Sequence, residues 1–268
     1  MDFVFAPLFS GSSGNSEYVR CGTTEILIDA GLACKRISEE LEKASADINH
    51  IQAVFVTHEH TDHIQGIGVL CRKYHIPVYA TEFTWNAMLS KGVLGKIPEE
   101  CVKYSFPGES IVLGDLRVKP FRIPHDAADP VGYSIFGAGM KLSIATDIGC
   151  IRDDWIDEVR GSDLLMLEAN HDPDVLMVCS YPYELKKRIL STKGHLSNDD
   201  AGIAAVRLAG SGVKQIILAH LSKESNYPKL AWETVAMHLR EAGYDTPLAV
   251  ASRTGYTVTY NVHGVFDE

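Results

Sequence analysis

Short apolar runs rich in Val, Ile, Phe and Tyr dominate the first half of the chain, and helical patterns separate such runs in the second half. These runs are typical of strands. They predict strands over residues 3–9, 17–20, 25–29, 53–57, 78–80, 116–123, 132–136, 141–146, 164–168, 215–219, 248–251 and 256–260. Apolar spacing and capping residues predict helices over residues 64–74, 83–90, 199–209 and 229–242. The mixture indicates an α/β (α+β) protein whose sheets are covered by helices.

Composition narrows the class of protein and its compartment. The chain has 268 residues, of which 46% are hydrophobic, and no linker divides it, so we predict a single domain over residues 1–268. It shows neither a basic leader nor an apolar run of about 18 residues, which predicts no signal peptide and no membrane span. The six cysteines form no Cys-x-x-Cys pair, so the cytoplasm is the simplest compartment. A net charge of -10 argues against a non-specific DNA-coating protein, but it is compatible with a nuclease that uses bound cations.

The strongest chemical signal is the segment 57–63, Thr-His-Glu-His-Thr-Asp-His, which directly follows an apolar run. Residues two apart in an extended chain face the same side, so His58 and His60 can point at one metal ion. Asp62 and His63 lie where a helix is predicted to begin and can turn toward a second ion. Imidazole and carboxylate ligands suit zinc, manganese or iron. The alternative is a solvated turn with incidental histidines. Three His and one Asp within six residues make that interpretation the weaker one.

Three further polar residues close apolar runs in the same way: His125, Asp147 and His220. Any one of them alone would more often be a loop residue than a ligand. Their shared context is better explained by one site at the ends of several strands.

Together with Asp29, these residues resemble the five motifs of the metallo-β-lactamase superfamily, and the resemblance spans nearly the whole chain. It implies a four-layer αβ/βα sandwich that binds two divalent metal ions. By this resemblance the first ion takes three imidazoles, those of His58, His60 and His125. The second ion takes Asp62, His63 and His220. Asp147 would bridge the two ions, and Asp29 would orient a ligand and the His-rich loop from behind.

Single residues separate the branches of the superfamily. The β-lactamases carry Cys at the position of Asp147, and flavodiiron oxidoreductases carry Glu at the position of His60. Glyoxalase II adds a helical domain that has no clear equivalent here. The segments 167–171, Leu-Glu-Ala-Asn-His, and 193–197, Lys-Gly-His-Leu-Ser, are instead similar to motifs of tRNA 3′-end-processing nucleases.

That similarity implies a catalytic role for Glu168 and His195. A neighbouring carboxylate favours a protonated imidazole, so Glu168 would orient and charge His195, and His195 would donate a proton to the leaving oxygen. The alternative is that His195 only helps to cap the following helix.

Three further segments, 9–16, 194–198 and 220–226, narrow the resemblance to the YycJ/WalJ branch, whose members are regarded as DNA exonucleases. Ser16 departs from other members, which often carry Cys there. Candidate substrate contacts in these segments are Ser12, Ser13, Asn15, Ser222 and Asn226. The Ser-Gly loop of residues 10–15 is either a phosphate-binding loop or a plain hairpin connection. The basic group at 186–188 is either a solvated helix face or a phosphate track.

The resulting hypothesis is phosphodiester hydrolysis, with nucleic acid, DNA above all, as the substrate. Two metal ions would lower the pKa of a water, and the hydroxide would attack phosphorus. Asp62 would accept a proton as well as bind metal, and His195 would protonate the leaving sugar oxygen. Two alternatives stay open at this point, besides the metal's identity and the oligomeric state. One is a small-molecule phosphodiesterase or thioester hydrolase, and the other is a non-catalytic regulatory metal-binding protein.

Overall fold

The computed structural model describes residues 1–262 of the chain. In chain order its strands are β1 (Phe3–Phe9), β2 (Ser16–Cys21), β3 (Thr24–Ile28), β4 (Ala53–Phe55), β5 (Val78–Ala80), β6 (Val102–Tyr104), β7 (Ile111–Leu113), β8 (Leu116–Arg122), β9 (Val131–Gly137), β10 (Met140–Ala145), β11 (Leu164–Glu168), β12 (Ile216–Ala219), β13 (Leu248–Val250) and β14 (Tyr260–Asn261).

The helices connect these strands, and most of them pack on the outer faces of the sheets. They are α1 (Cys34–Lys43), α2 (Thr61–Ile64), α3 (Ile67–Tyr74), α4 (Glu82–Ser90), α5 (Asp153–Val159), α6 (Pro173–Val178), α7 (Tyr183–Ile189), α8 (Asn198–Ala209) and α9 (Pro228–Glu241). Two short 3-10 turns cover Ile48–His50 and Glu99–Cys101. No helix among residues 1–262 combines the length and the apolar character that crossing a membrane requires.

The strands form two mixed seven-stranded sheets within residues 1–262. The order in the first sheet is β14-β1-β2-β3-β4-β5-β6, antiparallel from β14 to β3 and parallel from β3 to β6. The second has the order β13-β12-β11-β10-β9-β8-β7, parallel from β13 to β10 and antiparallel from β10 to β7. Each sheet therefore has a parallel half, whose strands end at a common edge.

Three apolar cores separate four layers. Successive residues of a strand face opposite sides of a sheet, and accordingly Ile26 packs between the two sheets whereas Leu27 packs under the helices. Ile37 of α1 and Trp85 of α4 belong to the outer core of the first sheet. Trp155 of α5 belongs to the outer core of the second, with residues of α8 and α9. Burying one large apolar side chain contributes about 1.5–3 kcal/mol, so the central core holds the two sheets face to face and the outer cores hold the helices against them. The predicted αβ/βα sandwich is confirmed.

Most predicted elements are confirmed, but two need correction. The strand predicted at 256–260 is wrong except at its last residue, because β14 covers only Tyr260–Asn261. The backbone N–H of Tyr256 donates instead to the carboxylate of Glu40 (2.7 Å), which removes it from any strand ladder. The helix predicted at 64–74 is two helices, α2 and α3, and α2 begins at Thr61 within the His-rich segment.

Candidate metal centre

Four of the predicted site residues lie one to three residues beyond the end of a strand. Asp29 follows β3, His58 lies three residues beyond β4, Asp147 lies two beyond β10, and His220 follows β12. The carboxyl ends of parallel strands meet at one edge of a sheet. The two sheets therefore bring these side chains together at a shared end of the sandwich.

Three of these residues share an unusual backbone conformation. Asp29 and Asp147 both have φ of 59°, and His220 has φ of 56°. Non-glycine residues adopt this left-handed conformation rarely and at an energetic cost, and such residues concentrate at functional sites. In each of the three, the chain changes direction at the end of a strand, where the surrounding packing holds the strained residue in place. Sequence reasoning did not predict this feature.

The first cluster of ligand atoms consists of His58, His60 and His125, whose ring nitrogens lie within 4.8 Å of one another. Nε2 of His58 lies 3.0 Å from Nδ1 of His60. Nδ1 of His125 donates to the carbonyl oxygen of Gly194 (3.1 Å), which fixes the tautomer and leaves Nε2 with a free lone pair. That Nε2 atom is buried and has no hydrogen-bond partner among the described residues.

The second cluster consists of Asp62, His63 and His220. Oδ2 of Asp62 lies 3.7 Å from Nε2 of His63. Nδ1 of His63 donates to Oδ2 of Asp29 (2.7 Å), and Nδ1 of His220 donates to Oε1 of Glu168 (2.8 Å). Both rings are therefore held through Nδ1 by a buried carboxylate, an arrangement common for metal-binding histidines. The Nε2 atom of His220 is buried and unpaired within residues 1–262.

Asp147 lies between the two clusters. Its Oδ2 atom is 3.5 Å from Nε2 of His63, and its Oδ1 atom is 3.7 Å from Nε2 of His125. The side chain is almost completely buried, and in the described part of the chain Oδ2 has no hydrogen-bond partner. One carboxylate thus faces imidazoles of both clusters.

Asp29 and Thr57 support the His-rich segment from behind. Oδ1 of Asp29 accepts a hydrogen bond from the backbone N–H of Thr57 (2.8 Å), and Oδ2 accepts one from its hydroxyl (2.7 Å). The same hydroxyl oxygen lies 3.0 Å from Nδ1 of His58 and 3.2 Å from Nδ1 of His63. This hydroxyl therefore links Asp29 to both His58 and His63, a contact that sequence reasoning missed.

Glu168 contacts two histidines rather than the one predicted. Its Oε1 atom accepts hydrogen bonds from Nδ1 of His195 (2.9 Å) and from Nδ1 of His220 (2.8 Å). Its Oε2 atom accepts from the backbone N–H groups of Ile148 (2.7 Å) and Leu196 (3.1 Å). Ser197 caps α8 with its own hydroxyl, accepting from the N–H of Asp200 (3.0 Å). His195 is therefore not needed as the helix cap and is held by a fully satisfied buried carboxylate.

The pKa values divide the histidines into two kinds. Burial lowers the pKa of His58, His60 and His125, which leaves these imidazoles neutral. For His63, burial lowers the pKa, but Asp29 and the other nearby carboxylates raise it to about 10. For His220, burial again lowers the pKa, but Asp147 and Glu168 raise it to about 9. The second cluster therefore holds protons that an incoming cation must displace.

These residues fit divalent metal ions. Three buried atoms, Nε2 of His125, Nε2 of His220 and Oδ2 of Asp147, lack a hydrogen-bond partner within residues 1–262. Leaving such groups unpaired is costly, and metal coordination would satisfy all three. Nitrogen and carboxylate donors of this kind are the usual ligands of zinc, manganese and iron.

A cavity of about 490 Å³ opens over the clusters. The residues lining the cavity that could bind a metal ion or transfer a proton are His60, Asp62, Asp147, His195 and His220.

Of the predicted substrate contacts, Ser12 and Ser222 line this cavity. Asn15 is buried, with Nδ2 3.0 Å from Nε2 of His63. Ser13 is exposed and is not among the residues that line the cavity. Asn226 lies behind the cavity, where its amide donates to the carbonyl oxygens of Ala169 (2.9 Å) and Asn170 (3.1 Å).

Comparison with known proteins agrees with this geometry. The sequence model of the family described as "Beta-lactamase superfamily domain" matches residues 24–221. The chain is 40% identical over 245 residues to "Exodeoxyribonuclease YycJ" of Bacillus anthracis, covering 91% of this chain and 92% of that protein. The chain belongs to the metallo-β-lactamase superfamily, in its YycJ/WalJ branch.

A second relative in this branch is "Exodeoxyribonuclease WalJ" of Streptococcus pneumoniae serotype 2, strain D39, which is 40% identical over 241 residues. The match covers 90% of this chain and 89% of that protein. Among solved structures, the metallo-β-lactamase fold protein YhfI from Bacillus subtilis superposes with a TM-score of 0.70. It covers 97% of this chain and 99% of YhfI at 16% identity, which supports the fold alone.

Membership of the superfamily changes how the clusters are interpreted. Buried histidines and aspartates can form a purely structural network, but the family model and the relatives named exodeoxyribonuclease favour a hydrolase site. The family and the His/Asp clusters together support divalent metal binding and a metal-dependent hydrolase.

Proposed function

We propose that this protein is a dinuclear metal-dependent phosphodiesterase that acts on DNA as an exonuclease. The observation that carries the proposal is the convergence of seven candidate ligand residues on two adjacent clusters beneath one cavity. The relatives named exodeoxyribonuclease, 40% identical over nearly their whole length, support DNA as the substrate class.

Two ions would be held by the residues of the two clusters, with Asp147 shared between them. The first would take His58, His60 and His125. The second would take Asp62, His63 and His220. Metal ions in such a site neutralise charge on the phosphoryl oxygens and lower the pKa of a water. Asp62 lines the cavity, is less buried than His63, and is the residue proposed to accept a proton from that water.

His195 is the proposed general acid, and Glu168 is its positioning residue. Burial raises the pKa of Glu168, but His195 and His220 outweigh it and lower the pKa to about 2, so Glu168 is an anion at neutral pH. The anion holds the ring of His195 through Nδ1 at the wall of the cavity. A protonated imidazole there donates its proton to the leaving sugar oxygen. Proton transfer of this kind typically contributes about 10²–10⁴-fold to the rate.

The cytoplasm is the proposed compartment, and unpaired thiols support it. All six cysteines are free, and four of them are buried. Free thiols persist where the surroundings are reducing. The bacterial origin of the two exodeoxyribonuclease relatives is consistent with this location.

The experiment that tests the proposed function is cleavage of end-labelled single-stranded and double-stranded DNA by the purified protein with added manganese or zinc. His60→Ala is the control, because it removes one ligand of the first cluster from the cavity wall. Stepwise release of nucleotides by the wild type alone is the expected result. If a protein that holds its metal ions cleaves a small phosphodiester or a thioester but leaves DNA intact, the proposed substrate is wrong.

A further inference from the structure

The helical arm formed by α6 and α7 carries the basic group at 186–188. The three side chains of this group have different surroundings. Lys186 donates to the carbonyl oxygens of Met177 and Cys179 (both 2.8 Å), so it ties α7 to α6. Lys187 is exposed and does not line the cavity. Arg188 lines the cavity over the metal clusters. Of the three basic residues at 186–188, Arg188 alone lines the cavity and is placed to meet a substrate.

A second cation faces the same cavity from another element. Lys91, at the end of α4, lines the cavity and donates to the carbonyl oxygen of Glu59 (2.8 Å), between the first two histidines of the cluster. Arg188 forms an ion pair with Asp126 through Nε (2.5 Å) and Nη2 (3.0 Å). Both cations are thus held in place by loops that carry predicted metal ligands. Pre-organised cations lose little side-chain entropy when they bind a phosphate.

Apolar and aromatic side chains of the arm form the wall beside Arg188. Leu185, Arg188 and Ile189 are three and four residues apart on α7, a spacing that places them on one face, and all three line the cavity. Tyr181 lines it as well, and its hydroxyl lies 3.2 Å from Oγ of Ser222. That contact fixes the ring. An aromatic ring and cations that line one cavity are the features that proteins use to bind single-stranded nucleic acid, by base stacking and phosphate pairing.

A close contact between the end of α7 and the loop of His195 fixes this wall relative to the proposed general acid. The backbone N–H of His195 donates to the carbonyl oxygen of Ile189 (3.0 Å). A Cβ atom at Gly194 would lie 2.1 Å from that same carbonyl oxygen, so a side chain at Gly194 would push the arm away. The end of α7 and the loop of His195 therefore form one unit at the edge of the cavity.

We infer that the arm and Lys91 form a nucleotide subsite, in which Arg188 and Lys91 bind backbone phosphates and Tyr181 stacks on a base of a single DNA strand. The inference rests on the proposed nuclease function and adds the residues that recognise the strand. Because the protein's net charge of -10 repels a polyanion, binding of a strand near the metal centre depends on local cations such as Lys91 and Arg188. Tyr181, Lys91 and Arg188 are therefore substrate-binding residues rather than catalytic ones.

The test compares two substrates for each variant of the metal-loaded protein. An end-labelled single-stranded oligothymidylate requires the subsite, and bis(p-nitrophenyl) phosphate requires only the metal centre. Arg188→Met and Lys91→Met should each raise KM for the oligonucleotide about tenfold, the loss of one charge-assisted contact. Tyr181→Ala should raise it by a similar factor, whereas Tyr181→Phe keeps the ring and should stay within about twofold. Lys187→Met, on the same helix but outside the cavity, is the matched control.

Salt dependence separates phosphate binding from a structural role. Each phosphate contact on a single strand contributes about 0.7 to the slope of log affinity against log salt concentration. Arg188→Met and Lys91→Met should each reduce the slope by about that amount, and Lys187→Met and Tyr181→Phe should not. The losses in the Arg188, Lys91 and Tyr181 variants should be larger on the oligonucleotide than on the small diester, whereas Lys187→Met should keep the wild-type rate on both substrates.

The possible outcomes distinguish the subsite from the proposed function. Cleavage of DNA with an unchanged KM and salt slope in the Arg188, Lys91 and Tyr181 variants would overturn the subsite and leave the nuclease standing. Loss of oligonucleotide binding in those variants, with no cleavage by the wild type, would support the subsite and overturn the nuclease. A wild type that neither binds nor cleaves DNA would overturn both. Equal loss on both substrates would show that the variants disturb the metal centre instead.

Discussion

Replacing Asp29 by Asn tests how the second cluster is organised. The side chain is 1% exposed, and its two oxygens accept three hydrogen bonds, from the N–H and hydroxyl of Thr57 and from Nδ1 of His63. Asn has nearly the same shape and tolerates the left-handed backbone at this position, where φ is 59°. The substitution therefore changes the hydrogen bonding of the site while keeping its packing and its backbone.

The magnitude follows from the atom that changes. The amide keeps one oxygen to accept from the N–H of Thr57, but its NH₂ group replaces the oxygen that His63 contacts at 2.7 Å. Two donors would then face each other, unless His63 moves its proton to Nε2, the nitrogen proposed to bind metal. A lost charge-assisted hydrogen bond costs about 1.5–3 kcal/mol. At about 1.4 kcal/mol per tenfold, metal binding at the second cluster should weaken about 10–150-fold.

Competition with a chromophoric chelator measures this affinity for each bound ion. Asp163→Asn is the matched control. Asp163 also accepts a backbone hydrogen bond, from the N–H of Lys141 (2.7 Å), but it does not belong to either metal cluster. A second readout is the pKa of His63 in the metal-free protein, which should fall from about 10 when the charge of Asp29 is removed. Unchanged affinity for both ions in Asp29→Asn would refute the reasoning that this carboxylate orients His63.

Three further predictions concern the same residues. His195→Ala should keep its metal ions but lose about 10²–10⁴-fold in kcat on DNA; an unchanged rate would exclude the proposed acid. Asp147→Ala should lose both ions, and full occupancy by elemental analysis would contradict a bridging role. Metal uptake should displace protons from His63 and His220, so apparent affinity should rise with pH up to about 9–10. Calorimetry in buffers of different ionisation enthalpy measures that proton release, and a pH-independent affinity would refute it.

The candidate ligand residues could be predicted from the sequence because each follows a strand that the apolar pattern identifies. The segment 57–63 and the residues His125, Asp147 and His220 all come after buried runs, and the superfamily resemblance supplied their grouping. The structure brings these residues into the predicted clusters. Their roles as ligands remain predictions that the experiments above test.

The parts that sequence reasoning missed depend on long-range contacts. The link from Glu168 to His220 spans 52 residues and joins two neighbouring strands of the second sheet. Nothing local in the basic group at 186–188 indicates that only Arg188 faces the cavity, because the tether of Lys186 to α6 decides it. The wrong strand at 256–260 has the same origin, since the buried carboxylate of Glu40 captures the N–H of Tyr256. The β-propensity of a segment alone does not reveal a hydrogen-bond partner that is distant in the sequence.

Local signals would have identified two of the missed helices. In α1, Ile37 and Leu41 are four residues apart and fully buried, with charged residues around them. That spacing is typical of an amphipathic helix. In α6, Asp172 caps the helix by accepting from the N–H of Val175 (2.9 Å), and Pro173 stands at the first helical position. Aspartate followed by proline is a recognised helix start.

The most direct test of a dinuclear metal-dependent exonuclease is the rate of nucleotide release as a function of bound metal. Protein stripped of metal is titrated with manganese, and release from end-labelled single-stranded DNA is followed beside elemental analysis of each sample. The account predicts no release without metal, a rate that rises with occupancy, and saturation at two ions per chain. Release of nucleotides at the full rate by metal-free protein, or by protein saturated with a single ion, would contradict it.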